Sequence, residues 1–122
     1  MPKKSMKKDR DQVYLLHIKQ SIFQIKKYLK GATLGALQND DMLTDALARQ
    51  LSIIGEATNN FSPEFKKRNA DIPYRDMISM RNFLIHKYAK VDRKTVWETC
   101  KNDITSLEET IDEILKQESS KK

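Results

Sequence analysis

The stretch RNFLIHKY, residues 81–88, contains three side chains that could act together on a phosphate ester. The imidazole of His86 can accept or donate a proton near neutral pH. Arg81 offers a fixed charge and a planar set of donors that suits phosphate, and Asn82, four residues before His86, could orient the imidazole or bind a substrate. These parts suit metal-independent cleavage of RNA, in which a base takes the 2′-hydroxyl proton and a cation stabilises the phosphate. From these residues alone, polar side chains on the surface of an ordinary helix are the simpler alternative.

The helix that carries these residues is predicted to have two apolar faces. At 100° per residue, one face is a core face. Its members are Met77, Met80 and Leu84. Ile78 and Ile85 form a second, smaller patch, with Arg81 on one side and both Asn82 and His86 on the other. Such a patch marks either an interface or a helix that is buried on all sides. In a symmetric dimer, this interface would bring two copies of the polar residues around one cleft.

The first half of the chain shows the 3.6-residue apolar period of two amphipathic helices, and no strand-like alternation competes with it. The first apolar stripe extends from Leu15 to Leu29, and Gly31 is a typical residue after a helix end. Asn39 or Asp40 can cap the second helix, whose stripe covers residues 43–57.

The second half predicts a helical turn and two more helices. Residues 62–63, Ser-Pro, are typical of an N-cap followed by proline at the first helical position. Pro73 opens a third helix over residues 74–86, and Asp92 can cap a fourth with an apolar stripe over residues 97–114. The sequence therefore predicts an all-α protein, an antiparallel up-and-down four-helix bundle with a short extra helical turn.

The net charge of +6 comes from the two ends of the chain. Residues 1–8 and 119–122 are basic tails, while the predicted bundle domain, residues 9–118, has equal numbers of basic and acidic side chains. Within the domain the charge is uneven, because residues 66–94 total +6 and residues 95–120 total −5. The basic segment around the histidine could attract phosphate, or it could simply keep a helix surface hydrated.

Several classes of site and of protein are disfavoured. A single cysteine, Cys100, cannot form an intramolecular disulfide, fits a reducing compartment, and is expected to be a core residue because it lies on an apolar stripe. His17 and His86 lie on different predicted helices, and no metal-binding motif or glycine-rich phosphate loop occurs. No apolar run is long enough for a membrane span, and none follows the basic N-terminus as in a secretory signal. We therefore expect a cytoplasmic protein with no metal and no cofactor.

The chain resembles the HepT-like branch of the HEPN proteins, which are small helical toxins of prokaryotes. The resemblance covers residues 10–116 and is strongest over residues 53–92. It rests on an ordered set of short elements: Gly55-Glu56-Ala57, Ile72-Pro73-Tyr74, Met80-Arg81-Asn82, His86-Lys87-Tyr88, Val91-Asp92 and Val96-Trp97. Two positions depart from the family pattern, since Tyr74 stands where tryptophan is common and Ile85 where a small residue is common.

The resemblance implies a homodimeric endoribonuclease, the toxin of a toxin–antitoxin system, in which Arg81 and His86 line a cleft between subunits and Asn82 assists. It also implies a cognate antitoxin, a minimal nucleotidyltransferase, which silences the toxin by adenylylation of Tyr88. Two alternatives stay open. The chain could be a non-catalytic helical module that binds substrate for a nucleotidyltransferase, or an accessory protein that binds nucleic acid through its basic tails.

Overall fold

A computed structural model describes the backbone of residues 3–86 and 93–120, and the side chains of residues 10–84 and 93–118. The described residues form helices joined by short connections and contain no strand, which confirms the predicted all-α class. The helices are α1 (Lys3–Leu29), α2 (Leu34–Gln38), α3 (Asp41–Asn60), α4 (Pro63–Arg68), α5 (Tyr74–His86), α6 (Arg93–Glu98) and α7 (Ile104–Ser120), with a π-helical segment (Thr99–Asp103) between the last two. The predicted cap Asp92 lies outside the described residues.

The beginning of α1 extends into the stretch that the charge pattern marks as a basic tail. The helix starts at Lys3. Lysine is a good helix former, so a basic segment can extend a helix whose later residues are packed in the core. The division of the chain into a bundle domain and two tails stays a prediction.

The connection between the first two long helices contains α2, which the periodicity did not reveal. The hydroxyl of Thr33 accepts a hydrogen bond from the Ala36 amide at 3.1 Å, and Leu37 is fully buried. Asp40 caps α3, because its carboxylate accepts from the Leu43 amide at 3.0 Å. Gly31 has a φ of +77° directly after α1, the left-handed conformation for which glycine is favoured at a helix end.

The predicted Ser62-Pro63 helix start is confirmed, and it is tied to α1. The Ser62 hydroxyl accepts a hydrogen bond from the Phe65 amide at 3.1 Å, as an N-cap should. The buried carboxylate of Asp11 in turn accepts from the Ser62 amide at 2.8 Å and from the Ser62 hydroxyl at 2.6 Å. Asp11 therefore joins the first part of α1 to the end of α3 and the beginning of α4.

Helix α1 packs antiparallel to both α3 and α7, and the buried apolar residues form one core. The ring of Tyr14 meets Phe61 edge-on at 6.1 Å, so the start of α1 lies beside the end of α3. Lys19 pairs with Asp112, whereas Lys26, further along α1, pairs with the earlier residue Glu108, so α1 and α7 also run in opposite directions. α3 packs against both α1 and α5. None of the helices in the described part of the chain has the length and apolar character required to cross a bilayer.

The fourth predicted helix is not one uninterrupted α-helix. Val96, Cys100 and Ile104 are all buried and follow one another at intervals of four residues. In a regular α-helix this spacing would rotate successive side chains away from the core, and the wider π turn at residues 99–103 compensates for it. Trp97, predicted to open this apolar stripe, is only partly buried, and Val96 occupies the buried position instead.

Candidate functional site

Helix α5 has the predicted boundaries and the predicted core face. It begins directly after Pro73, whose carbonyl accepts a hydrogen bond from the Met77 amide at 3.0 Å. Met77 and Leu84 are buried, and Met80 is partly buried against the core. The residues that could do chemistry therefore lie on a helix whose rotation is fixed by this apolar face.

Gly55 sets how closely α5 approaches α3. A β-carbon placed on this buried glycine would lie 2.4 Å from the Arg81 Cβ and 2.7 Å from the Met77 carbonyl oxygen. Both distances are too short for two non-bonded atoms, so no side chain fits there while the helices keep this separation. Glycine within a helix costs about 0.5–1 kcal/mol relative to alanine. The absence of a side chain at Gly55 lets the backbone of α3 lie directly against the first carbons of the Arg81 side chain, its stem.

The guanidinium of Arg81 is held at the edge of this crossing by the residue after the glycine. Its Nη1 donates to Oε2 of Glu56 at 2.7 Å. The Arg81 side chain is 21% exposed, whereas that of Glu56 is 53% exposed. The Arg81 Nε is buried and has no acceptor among the described residues. A buried donor without an acceptor is costly, and in a native structure it often marks a place for a ligand or water.

The other predicted site residues are described to different extents. Asn82 is exposed on α5, and Ile78 is partly buried. His86 is the last described residue of α5, and its side chain, like that of Ile85, lies outside the described atoms. Tyr88 also lies outside the described residues. The structure thus brings Arg81 together with Glu56, while the placement of the imidazole and of Tyr88 stays a prediction.

The helical backbone nevertheless constrains Arg81 relative to His86. Because residues 81–86 are all in α5, the two positions differ by about 7.5 Å along the helix axis and about 140° around it. The two backbone positions therefore lie on different sides of α5.

Glu56 was not predicted as a site residue. It appeared in the sequence analysis only as part of one family element. A usable signal existed, because an isolated glycine inside a helical pattern points to close packing at that place. Gly55 therefore marked its neighbour as a residue near another helix, although not which helix or which side chain.

The second histidine and the lone cysteine lie away from this crossing. His17 is exposed on α1 and lines a groove between α1 and α3 with Arg49 and Gln50. Cys100 is buried, and desolvation raises the pKa of its thiol to about 12, so its predicted place in the core is confirmed. In the described part of the chain, no three histidine, cysteine or acidic side chains are grouped so that they could hold a metal ion.

A second apolar surface, on α1, was not predicted. Val13, Leu16 and Phe23 are all exposed, with Phe23 at 63%. They lie on the side of α1 opposite its buried stripe. The α5 patch is therefore not the only surface in the described structure through which two copies could associate.

Comparison with known proteins identifies the class to which this fold and site belong. Residues 18–114 match the family model described as "Ribonuclease HepT-like". The chain belongs to this HepT-like ribonuclease family. No solved structure matches the chain.

Individual relatives agree with the family assignment. The chain is 37% identical over 105 residues to the protein named "Putative RNase TTE0752" of Caldanaerobacter subterraneus subsp. tengcongensis, covering 86% of this chain and 94% of the relative. It is 36% identical over 103 residues to "Probable ribonuclease HepT" of Thermococcus cleftensis, covering 84% of this chain and 94% of that protein. It is also 39% identical over 112 residues to "Gamma-glutamylcyclotransferase and putative RNase MJ0434" of Methanocaldococcus jannaschii, where the match covers 92% of this chain and 50% of the relative.

Proposed function

We propose that the protein is a metal-independent endoribonuclease that acts as a homodimer and serves as the toxin of a toxin–antitoxin pair. Membership of the HepT-like ribonuclease family is the observation that supports the proposed reaction, cleavage of RNA. The position of Arg81 supports the proposed site, because its partly exposed guanidinium lies at the edge of a helix crossing, where Glu56 binds it. The exposed part of the Arg81 guanidinium, which carries several N–H donors in one plane, is suited to bind phosphate oxygens.

The proposed reaction uses His86 and Arg81 in different steps. His86 removes the proton of a ribose 2′-hydroxyl, and the oxygen attacks the adjacent phosphorus. Arg81 stabilises the negative charge that accumulates on the phosphate oxygens. The bond to the 5′-oxygen then breaks, this oxygen takes a proton from an imidazolium or from water, and a 2′,3′-cyclic phosphate remains. Asn82, exposed one turn before His86, binds substrate or orients the imidazole.

A cleavage assay in the presence of a chelator tests this proposal. Purified wild-type protein is compared with the variants His86→Ala and Arg81→Ala on several RNAs. We expect each variant to lose roughly 10²–10⁴-fold in rate, the usual contribution of a positioned acid, base or charge. His17→Ala is the matched control and should cleave like the wild type, because His17 lies in a different groove.

The outcomes of this assay separate the candidate functions. Cleavage that survives in His86→Ala would contradict the site assignment. Cleavage that stops when the chelator is added would contradict metal independence. Failure of the wild type to cleave any RNA would contradict the enzyme proposal and favour the non-catalytic module that binds substrate for a nucleotidyltransferase.

The dimer is proposed to form through the α5 patch of Ile78 and Ile85. Partial burial of Ile78 within one chain is compatible with further burial by a second copy. Ile78→Asp should give a folded monomer in light scattering, with intact helicity in circular dichroism. Phe23→Asp on the exposed α1 surface is the control and should remain dimeric. The opposite result would assign the dimer to α1.

The proposed partner is a cognate nucleotidyltransferase antitoxin that adenylylates Tyr88. An attached AMP two residues from His86 would add bulk and negative charge beside the phosphate-binding cleft, and both effects oppose RNA binding. Incubation with ATP and a purified cognate nucleotidyltransferase should add the mass of one AMP to the wild type, with loss of cleavage. The mass should not change in Tyr88→Phe, and modification of that variant would contradict the assignment.

A further inference from the structure

We propose that Glu56 is a positioning residue, which holds the guanidinium of Arg81 in the direction that the phosphate of an RNA substrate requires. This inference rests on the proposed ribonuclease function. Its first support is the 2.7 Å hydrogen bond from Arg81 Nη1 to Glu56 Oε2, between side chains that are 25 positions apart in the sequence.

The stem and the head of Arg81 are restrained by two consecutive residues of α3. The position where Gly55 would carry a β-carbon is 2.4 Å from the Arg81 Cβ and 3.1 Å from its Cγ, so the start of the side chain lies against the α3 backbone. Glu56 then binds the guanidinium at the other end. A long, flexible side chain fixed at both ends keeps one orientation before the reaction begins, which is a form of preorganisation.

The geometry of the pair is poorly suited to a purely stabilising role. Ion pairs with a solvent-exposed partner contribute little to stability, and Glu56 is 53% exposed. The contact described joins one guanidinium nitrogen to one carboxylate oxygen, and it leaves Arg81 Nε buried without an acceptor among the described residues. A substrate phosphate, with several oxygens, can bind the exposed part of the guanidinium in addition to the contact that Glu56 makes.

The charge of Glu56 predicts a specific kinetic signature. Its carboxylate repels the phosphates of bound RNA, so it does not favour binding of the ground state. It restrains the guanidinium for the charge that develops in the transition state. Removal of Glu56 should therefore lower kcat while KM stays unchanged or falls. Because an unfolded fraction would also lower the apparent kcat at constant KM, kcat is calculated per folded molecule, with the folded fraction measured by circular dichroism.

Kinetics of three variants test this signature. Glu56→Ala should lower kcat roughly 10- to 100-fold, the scale expected for a misplaced group. Glu56→Gln keeps a hydrogen-bond acceptor and should lose only about 2- to 5-fold, a partial rescue of the alanine effect. Asp112→Asn, which removes a carboxylate from an ion pair between α1 and α7, is the matched control and should cleave like the wild type.

A double variant shows whether Glu56 acts through Arg81. In an Arg81→Lys background the planar donor fork is already lost, so Glu56→Ala should have little further effect on kcat. Full additivity of the two losses would overturn the proposal. Unchanged or faster cleavage by Glu56→Ala alone would overturn it as well, since that result would mean that the carboxylate blocks the guanidinium.

A readout independent of cleavage separates this inference from the proposed function. The ¹⁵N NMR signal of Arg81 Nε–H, assigned by its absence in Arg81→Lys, should report a restricted guanidinium in the wild type and a mobile one in Glu56→Ala. An unchanged signal in Glu56→Ala would overturn the positioning role even if the protein is a ribonuclease. A wild type that cleaves no RNA would overturn the proposed function, while the NMR comparison would still decide whether Glu56 orients Arg81.

Discussion

The crossing of α3 with α5 and the contact of α1 with α7 are built by different means. Between α1 and α7, Lys19 and Lys26 reach across to Glu108 and Asp112, and the lysine side chains are 36% and 63% exposed. These pairs lie on the rim of a contact whose centre is apolar. Between α3 and α5, a missing side chain at Gly55 lets two helices approach closely, and one arginine is restrained in the gap. The first arrangement supports a fold, whereas the second sets the direction of one side chain.

The largest loss of stability is expected from a substitution in the apolar core beneath α7. Ile111 of α7 is fully buried, so Ile111→Ala should lower the free energy of unfolding by about 2–5 kcal/mol. Leu115→Ala is the matched control on the same helix, and its smaller loss reflects the partial burial of Leu115. Urea unfolding measures both values. At a temperature where both variants are folded, RNA cleavage should be unchanged. A cleavage defect in folded Ile111→Ala would mean that α7 also shapes the site.

The next largest effect should come from filling the gap between α3 and α5. Gly55→Ala introduces a β-carbon that collides with the Arg81 stem and with the Met77 carbonyl, and overpacking of this kind typically costs about 1–3 kcal/mol. Unlike Ile111→Ala, this variant should also lose cleavage while it is still folded, because the helices must separate beneath Arg81.

Gly35→Ala is the control for the glycine substitution. Only the Thr33 hydroxyl, at 3.8 Å, is near a β-carbon placed on Gly35, so this change should leave unfolding within about 1 kcal/mol of the wild type and cleavage unchanged. Equal stability and activity of the two alanine variants would show that the close crossing does not set the site.

Much of the fold could be predicted because its signals are local. The apolar period of α1 and α3, the Ser62 cap and the start of α5 after Pro73 each depend on a few neighbouring residues. The core face of α5 follows from helical geometry alone, and burial of Met77 and Leu84 confirms it.

The features that the sequence did not reveal depend on distant partners. The five-residue α2 has too few residues to show an apolar period. The π turn could be recognised only once the structure showed that Val96, Cys100 and Ile104 are all buried. The pairing of Arg81 with Glu56 joins two helices and could not be read from either one. Family resemblance supplied both the arginine motif and the element that contains Glu56, but not the contact between them.

At high pH, ionisation of Cys100 should lower the free energy of unfolding, by less than Ile111→Ala or Gly55→Ala does. Desolvation raises the pKa of the Cys100 thiol from 9.0 to about 12, so the folded state keeps this proton more tightly than the unfolded chain does. The contribution of the neutral thiol to stability is then complete below pH 9.0 and is lost progressively as the pH rises toward 12.

Unfolding at two pH values measures this loss. Between pH 7 and about pH 10, the free energy of unfolding should fall less steeply in Cys100→Ala than in the wild type. The slope is the informative quantity, because the substitution also leaves a small cavity that lowers stability at every pH. Equal slopes would mean that the thiol can ionise within the folded protein. The thiol should also resist alkylation at neutral pH until the protein unfolds.

The smallest effect should come from the ion pairs between α1 and α7. Lys19→Met should lower the free energy of unfolding by only about 0.2–1 kcal/mol in low salt, and by less in high salt, because exposed pairs are screened.

The contribution of Lys19 should also depend on pH. The hydrogen bond to Asp112 raises the pKa of Lys19 above 10.5, so the stabilising effect of the ion pair is present below pH 10.5 and disappears as the pH rises beyond the folded-state pKa. The difference between wild type and variant should therefore vanish at high pH. Lys26→Met, which removes a single bond from a more exposed lysine, should change stability still less. A loss of several kcal/mol in Lys19→Met would show that an exposed pair can do as much for the fold as a close helix crossing, and the contrast between the two contacts would fail.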